Sequence, residues 1–199
     1  MITENDIEIY KELVKKEITI TRFEHSLRVA DIAKRLSAIH GYPEPLEAYL
    51  AGVLHDITKQ KNNSFHKEIF LKYNFDFNEL PQEAYHPFSA YFYIKEKYDF
   101  HEEEILSAVK NHTLGGRDLT LLDRILYVSD FLGSDFAERS EDFQSWIQKT
   151  EKDLSFGILL KASNTISDLS KKMLPIHIST YYMYQKAILD LSKNKLNNI

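Results

Sequence analysis

Residues 51–58 read AGVLHDIT, which places an imidazole, His55, and a carboxylate, Asp56, side by side in the most apolar part of the chain. Burying two such groups is costly unless each meets a strong partner. The fold must therefore bring other polar side chains to this point. A divalent cation satisfies both groups at once, because neutral imidazole and ionised carboxylate are its natural ligands. A buried hydrogen-bonded pair is the alternative reading.

The backbone vocabulary narrows the fold. Six glycines and five prolines in 199 residues are about half the usual share. A sheet protein rich in tight turns needs more of both, so the expectation is an all-α fold. The length suits a single domain over residues 1–199. Apolar periodicity and breakers predict helices near 4–17, 21–40, 45–60, 64–73, 87–97, 102–112, 119–133, 155–173 and 177–193. Thr21 and Glu24 fit a capping box at the second start, and Pro45 fits the first turn of the third helix.

The lack of cysteine excludes disulfides and thiolate metal sites and leaves histidines and carboxylates as strong ligands. The net charge of −5 disfavours a general nucleic-acid or anionic-membrane binder. No stretch approaches the 18 apolar residues of a membrane span, and MITENDIEIY lacks the form of a secretory signal. A cytoplasmic protein with no nucleic-acid or membrane partner is expected. The aromatic-rich stretches 91–100 and 180–184 read as core or interface packing, with a nucleobase pocket as the alternative, and a homodimer is a separate expectation.

Other residues repeat the anomaly of His55 and Asp56. Asp130 lies among large apolar residues in ILYVSDFL, His112 precedes a glycine loop, His86 precedes Pro87 at a helix start, and His25 shares a helix face with Arg22. His40, His66, His101 and His177 read as ordinary surface or core histidines. Lys59, four residues after His55, is expected on the same helix face as a phosphate-binding point charge. Arg22 is a second phosphate candidate. Thr113 offers a hydroxyl or amide, and Gly115 would let backbone approach a substrate.

Arg22-x-x-His25, HDITK at 55–59, His86, HT-x-G at 112–115 and VSD at 128–130 together resemble the HD-domain metal-dependent phosphohydrolase superfamily. Within it, the stretch HTLGGRDLTLLDRILYVSD at 112–130 and LPIHISTY at 174–181 are similar to the bacterial symmetrical bis(5′-nucleosyl)-tetraphosphatases of the YqeK type. The resemblance implies that His25, His55, Asp56 and Asp130 hold a core metal. It implies that His86 and His112 hold a second, with Asp56 bridging. It also implies an all-helical fold and hydrolysis of a small dinucleoside polyphosphate, diadenosine tetraphosphate, to two ADP. Asp56 and Lys59 are the residues expected to act in catalysis. The sulfur-free set suits two ions of iron, with manganese or another first-row metal as alternatives. Arg139 falls three positions beyond the place of the family's arginine after VSD. A nucleotidase, a deoxynucleotide triphosphohydrolase or a non-catalytic nucleotide-binding module are the competing readings.

Overall fold

The computed structural model describes residues 2–196, with side chains described to Lys193. Eleven α-helices and one 3-10 turn carry the fold, and no strand occurs among the described residues. The helices are α1 (Glu4–Lys15), α2 (Ile20–Ile39), α3 (Pro45–Leu54), α4 (Asn63–Lys72), α5 (Tyr85–Lys97), α6 (Glu103–Asn111), α7 (Leu121–Leu132), α8 (Asp135–Glu138), α9 (Phe143–Lys152), α10 (Leu154–Lys171) and α11 (Ile178–Leu196). The all-α expectation holds.

The most apolar helix, α3, lies at the centre, with Leu50, Val53 and Leu54 fully buried. It packs on α1, α2, α6 and α7, and α7 in turn packs on α2, α6 and α10. Each fully buried Leu, Ile or Val contributes about 1.5–3 kcal/mol of transfer free energy. These contacts therefore fix the four helices that surround the His55–Asp56 segment. On the outer side, α11 lies along α10.

Three local expectations are corrected. The third helix stops at Leu54 rather than near residue 60. Beyond it the backbone tightens into turns, with Ile57, Lys59 and Lys61 amides bonded to the carbonyls three residues back. The second helix begins two residues early, so Thr21 lies inside the first turn. Thr19 is the cap, its hydroxyl accepting from the Arg22 amide. Gln60 grips Thr19 at both its amide (2.8 Å) and its hydroxyl (3.1 Å), tying this helix start to the turn after Asp56. Finally, α8 and α9 fill a region with no expected helix. On α9 Phe143, Trp146 and Ile147 recur at helical spacing, but they are only half-buried and the rest of the segment is polar.

Candidate metal centre

Four imidazoles are aimed by the same device. His25 on α2 turns its Nδ1 to the Gly133 carbonyl at 3.1 Å. His55, just past α3, bonds to the Gly52 carbonyl at 2.7 Å. His86, in the first turn of α5, bonds to the Glu83 carbonyl at 2.9 Å, and His112, just past α6, to the Val109 carbonyl at 2.6 Å. A carbonyl only accepts, so in each neutral ring the proton sits on Nδ1 and Nε2 presents a lone pair. All four Nε2 atoms face Asp56. This pairing of an outward N–H with an inward lone pair is the usual way a protein orients a metal-ligating histidine.

Asp56 stands between the pairs. Its Oδ2 lies 3.8 Å from His25 Nε2 and 3.4 Å from His55 Nε2. Its Oδ1 lies 3.3 Å from His86 Nε2 and 3.6 Å from His112 Nε2. Asp130 Oδ1 joins the first pair, at 3.5 Å from His25 Nε2 and 3.6 Å from His55 Nε2. The result is two buried triads, His25–His55–Asp56 and Asp56–His86–His112, sharing one carboxylate. All six residues singled out as metal ligands are thus brought together.

The donor set fits divalent cations. His55 Nε2 and Asp56 Oδ1 are buried and have no hydrogen-bond partner. His86 Nε2 and His112 Nε2 stand 3.1 Å apart, two lone pairs facing each other. Ligand bonds of about 2.0–2.2 Å leave neighbouring donor atoms roughly 3.0–3.6 Å apart, close to the 3.1 to 3.8 Å found within the cluster. Electrostatics agree. Burial opposes charge on His55, but Asp56 and Asp130 outweigh it and lift that ring to about 9. Burial dominates at His86, aided by Lys59 and His112, and pushes it down to about 3. Burial also works against Asp56 and Asp130, yet both stay well below the ordinary carboxylate range. His55 is the main counterweight for Asp56, and Lys161 for Asp130. Both carboxylates thus stay ionised while burial keeps His86 and His112 neutral, the forms in which these groups bind a cation.

Lys59 is exposed, and its Nζ lies 3.3 Å from His86 Nε2. It reaches the cluster through the turn after α3, not along a helix face. Arg22 donates Nη1 to Asp56 Oδ2 at 3.1 Å and keeps a third of its side chain exposed. Thr113 Oγ1 is 3.2 Å from His86 Nε2. Gly115 is buried under Met183 and closes the turn after α6 with φ +70°, its amide donating to the Asn111 carbonyl at 2.8 Å. An open cleft of about 390 Å³ leads to His25, lined by Arg22, Arg28, Gln60 and Ser134. Arg139 ends α8 and is exposed. The four remaining histidines are ordinary. His66, for example, is buried and satisfied by Ser89 Oγ and the Lys61 carbonyl.

Sequence reasoning missed Lys161. The residue is 6% exposed, and its ammonium reaches from α10 to Asp130 Oδ2.

A model of the HD domain matches residues 22–133, from Arg22 to the glycine whose carbonyl orients His25. The chain belongs to the HD-domain family. With two buried His/Asp triads in place, this HD-domain protein is a metal-dependent hydrolase. It is 26% identical to the symmetrical bis(5′-nucleosyl)-tetraphosphatase of Halalkalibacterium halodurans, over 90% of this chain and 95% of that one. It is 27% identical to the Bacillus subtilis protein of the same name, over 86% and 91% of the two chains. Its fold superposes with a TM-score of 0.84 on a "predicted HD superfamily hydrolase involved in NAD metabolism" from Clostridium acetobutylicum. That match has 22% identity and covers 92% of this chain and 97% of the other. No helix among the described residues is long and apolar enough to cross a membrane.

Proposed function

We propose that this HD-domain hydrolase, acting as one domain over its whole length, splits diadenosine tetraphosphate and related dinucleoside polyphosphates symmetrically into two ADP. The observation that carries the reading is the shared carboxylate. Asp56 turns one oxygen to each histidine pair, a layout suited to two cations acting on one phosphoanhydride. The named activity of relatives matched over nearly the full chain supplies the substrate class.

In this reading His25, His55, Asp56 and Asp130 hold one cation, and Asp56, His86 and His112 hold the other. The donor set of imidazole and carboxylate suits iron, or manganese in its place. Bound divalent cations supply a water acidic enough to attack at neutral pH and neutralise charge on phosphoryl oxygens. The protein does the rest. Lys59 sets its ammonium against a substrate phosphate as a point charge. Arg22 uses one nitrogen to hold Asp56 and offers its remaining donors to the polyphosphate. Thr113 supplies a hydroxyl beside His86, and Gly115 lets the loop that carries Thr113 stay close to α11. One water adds across the bond between the second and third phosphates. Its oxygen joins one phosphorus and the other phosphate leaves with the bridging oxygen, giving two ADP.

The test is elemental analysis of the purified protein, followed by product identification over a nucleotide panel. The expected result is two transition-metal ions per chain and ADP as the sole product from diadenosine tetraphosphate. Asp56→Ala should abolish both metal retention and hydrolysis. Formation of ATP and AMP, or turnover of only another nucleotide, would reject the assignment.

A further inference from the structure

Lys161 is a buried lysine that the hydrolysis reading leaves without a task. It sits on α10 in register with Leu154 and Ile158, a position that pattern alone assigns to an apolar residue. All three of its protons are used. Nζ donates to Asp130 Oδ2 at 2.7 Å, to the Tyr127 carbonyl at 2.8 Å and to the His112 carbonyl at 2.8 Å. The ammonium also lies 4.3 Å from the Tyr127 ring centroid, so a π-face completes its surroundings. With no free proton and almost no exposure, it is placed to touch neither water nor a phosphate.

Its partners belong to both halves of the centre. Asp130 faces His25 and His55, while the His112 backbone belongs to the other histidine pair. By taking Oδ2, Lys161 leaves Asp130 only Oδ1 to turn towards those imidazoles. Asp130 is the most exposed member of the cluster, its side chain 24% accessible, and at 2.7 Å Lys161 makes a closer contact with it than His25 or His55 does. Asp56 differs, since both of its oxygens face imidazoles. Arg22 holds its Oδ2 and leaves Oδ1 unpartnered. Each carboxylate of the centre therefore has one oxygen engaged by a cation of the protein.

We propose that Lys161 is a positioning residue that fixes Asp130 as a one-oxygen ligand, and that it is required for the cation held by His25, His55, Asp56 and Asp130 but not for the one held by Asp56, His86 and His112. The inference rests on the two-cation reading above.

The experiment is calorimetric titration of chelator-stripped full-length protein with manganese(II), with bound metal counted after gel filtration. Wild type should bind two ions. Lys161→Met, which keeps the length of the side chain and removes the charge, should bind one ion with wild-type affinity and the second at least tenfold more weakly. Lys161→Arg should recover part of that loss. A purely structural lysine would lower the melting temperature and leave the metal count of the folded protein at two, and that result overturns the inference. Should Lys161→Met fail to fold, Asp130→Asn is compared with Asp130→Asn/Lys161→Met, which has no unpaired buried charge. Equal manganese binding by these two, within twofold, supports action through Asp130. A further tenfold loss in the double variant overturns it. Failure of wild type to bind any manganese or iron would instead reject the two-cation reading itself.

Discussion

The crossing of α2 and α3 sets the distance between His25 and His55, and one glycine controls it. A Cβ built on Gly52 would lie 2.4 Å from Ala30 Cα and 2.7 Å from Ala30 N. Both are backbone atoms, so no side-chain rotation relieves the overlap and the helices must separate by about 1 Å. Overpacking of this kind costs about 1–3 kcal/mol and occasionally more. Two backbones in contact belong at the upper end, about 3 kcal/mol. Helix propensity acts the other way, since Ala is favoured over Gly in a helix interior by about 1 kcal/mol. The net expectation for Gly52→Ala is a loss of about 2 kcal/mol. For a chain of this size that is a fall in Tm of about 4–8 °C. Scanning calorimetry of the metal-free protein reads it. Metal binding should weaken as well, because the Gly52 carbonyl orients His55 and the displaced helix carries His25. Adding Ala30→Gly should not rescue, since the clash is with the Ala30 backbone. A Tm equal to or above that of wild type would mean that propensity wins and that the close crossing does not control this site.

Three further outcomes are expected. Lys59→Ala should raise KM or lower kcat for the polyphosphate substrate while the metal-to-protein ratio stays at the wild-type value; loss of metal instead would reassign Lys59 to the upkeep of His86. Adding a divalent metal at a hundred times its Kd to the stripped protein should stabilise it by about 2.7 kcal/mol for each site filled, a rise in Tm of about 5–10 °C for one site, and an unchanged Tm would argue that the triads do not bind it. Burial of Glu17 opposes its charge, but hydrogen bonds from Lys97, Lys61 and Tyr93 outweigh that and bring its pKa from 4.5 down to about 2. Its folded-state pKa is depressed, so this stability is complete above about pH 5 and is lost as pH falls towards 2. Urea unfolding should therefore show Glu17→Gln less stable than wild type at neutral pH, by about 1 kcal/mol once solvent screening of these partly exposed pairs is allowed for, with the gap closing in acid; a gap independent of pH would refute the linkage.

What could be read in advance follows a physical line. His25, His55, His86 and His112 stood out because imidazoles in apolar or helix-terminal settings need partners, and those partners are one another and the two aspartates. The long helices announced themselves through apolar faces such as that of α7, whose buried set runs from Leu122 to Leu132. The stop of α3 at Leu54 gave no comparable sign. No glycine or proline marks it, and the turn is held by tertiary bonds such as Gln60 to Thr19 and Thr58 Oγ1 to the His86 carbonyl. Nor did the polar segment 134–152 reveal that Trp146 would close over Phe131, their rings 5.9 Å apart.

Lys161 shows where pattern reading fails and how it could be repaired. A lysine in a helix is ordinarily solvated, so composition alone passes over it. Its register is the informative part, because Leu154 and Ile158 on the same stripe are both buried. A charged residue on a buried stripe needs an opposite charge or a set of carbonyls, and an unexplained carboxylate was already present in Asp130. Pairing the two anomalies predicts the contact that the fold makes at 2.7 Å. The same reasoning separates Lys161 from Lys59. Lys59 follows a helix end, stays exposed and keeps protons free for a phosphate, whereas Lys161 has none left to give. Of the two, only Lys59 is suited to meet substrate, and only Lys161 to hold a ligand in place.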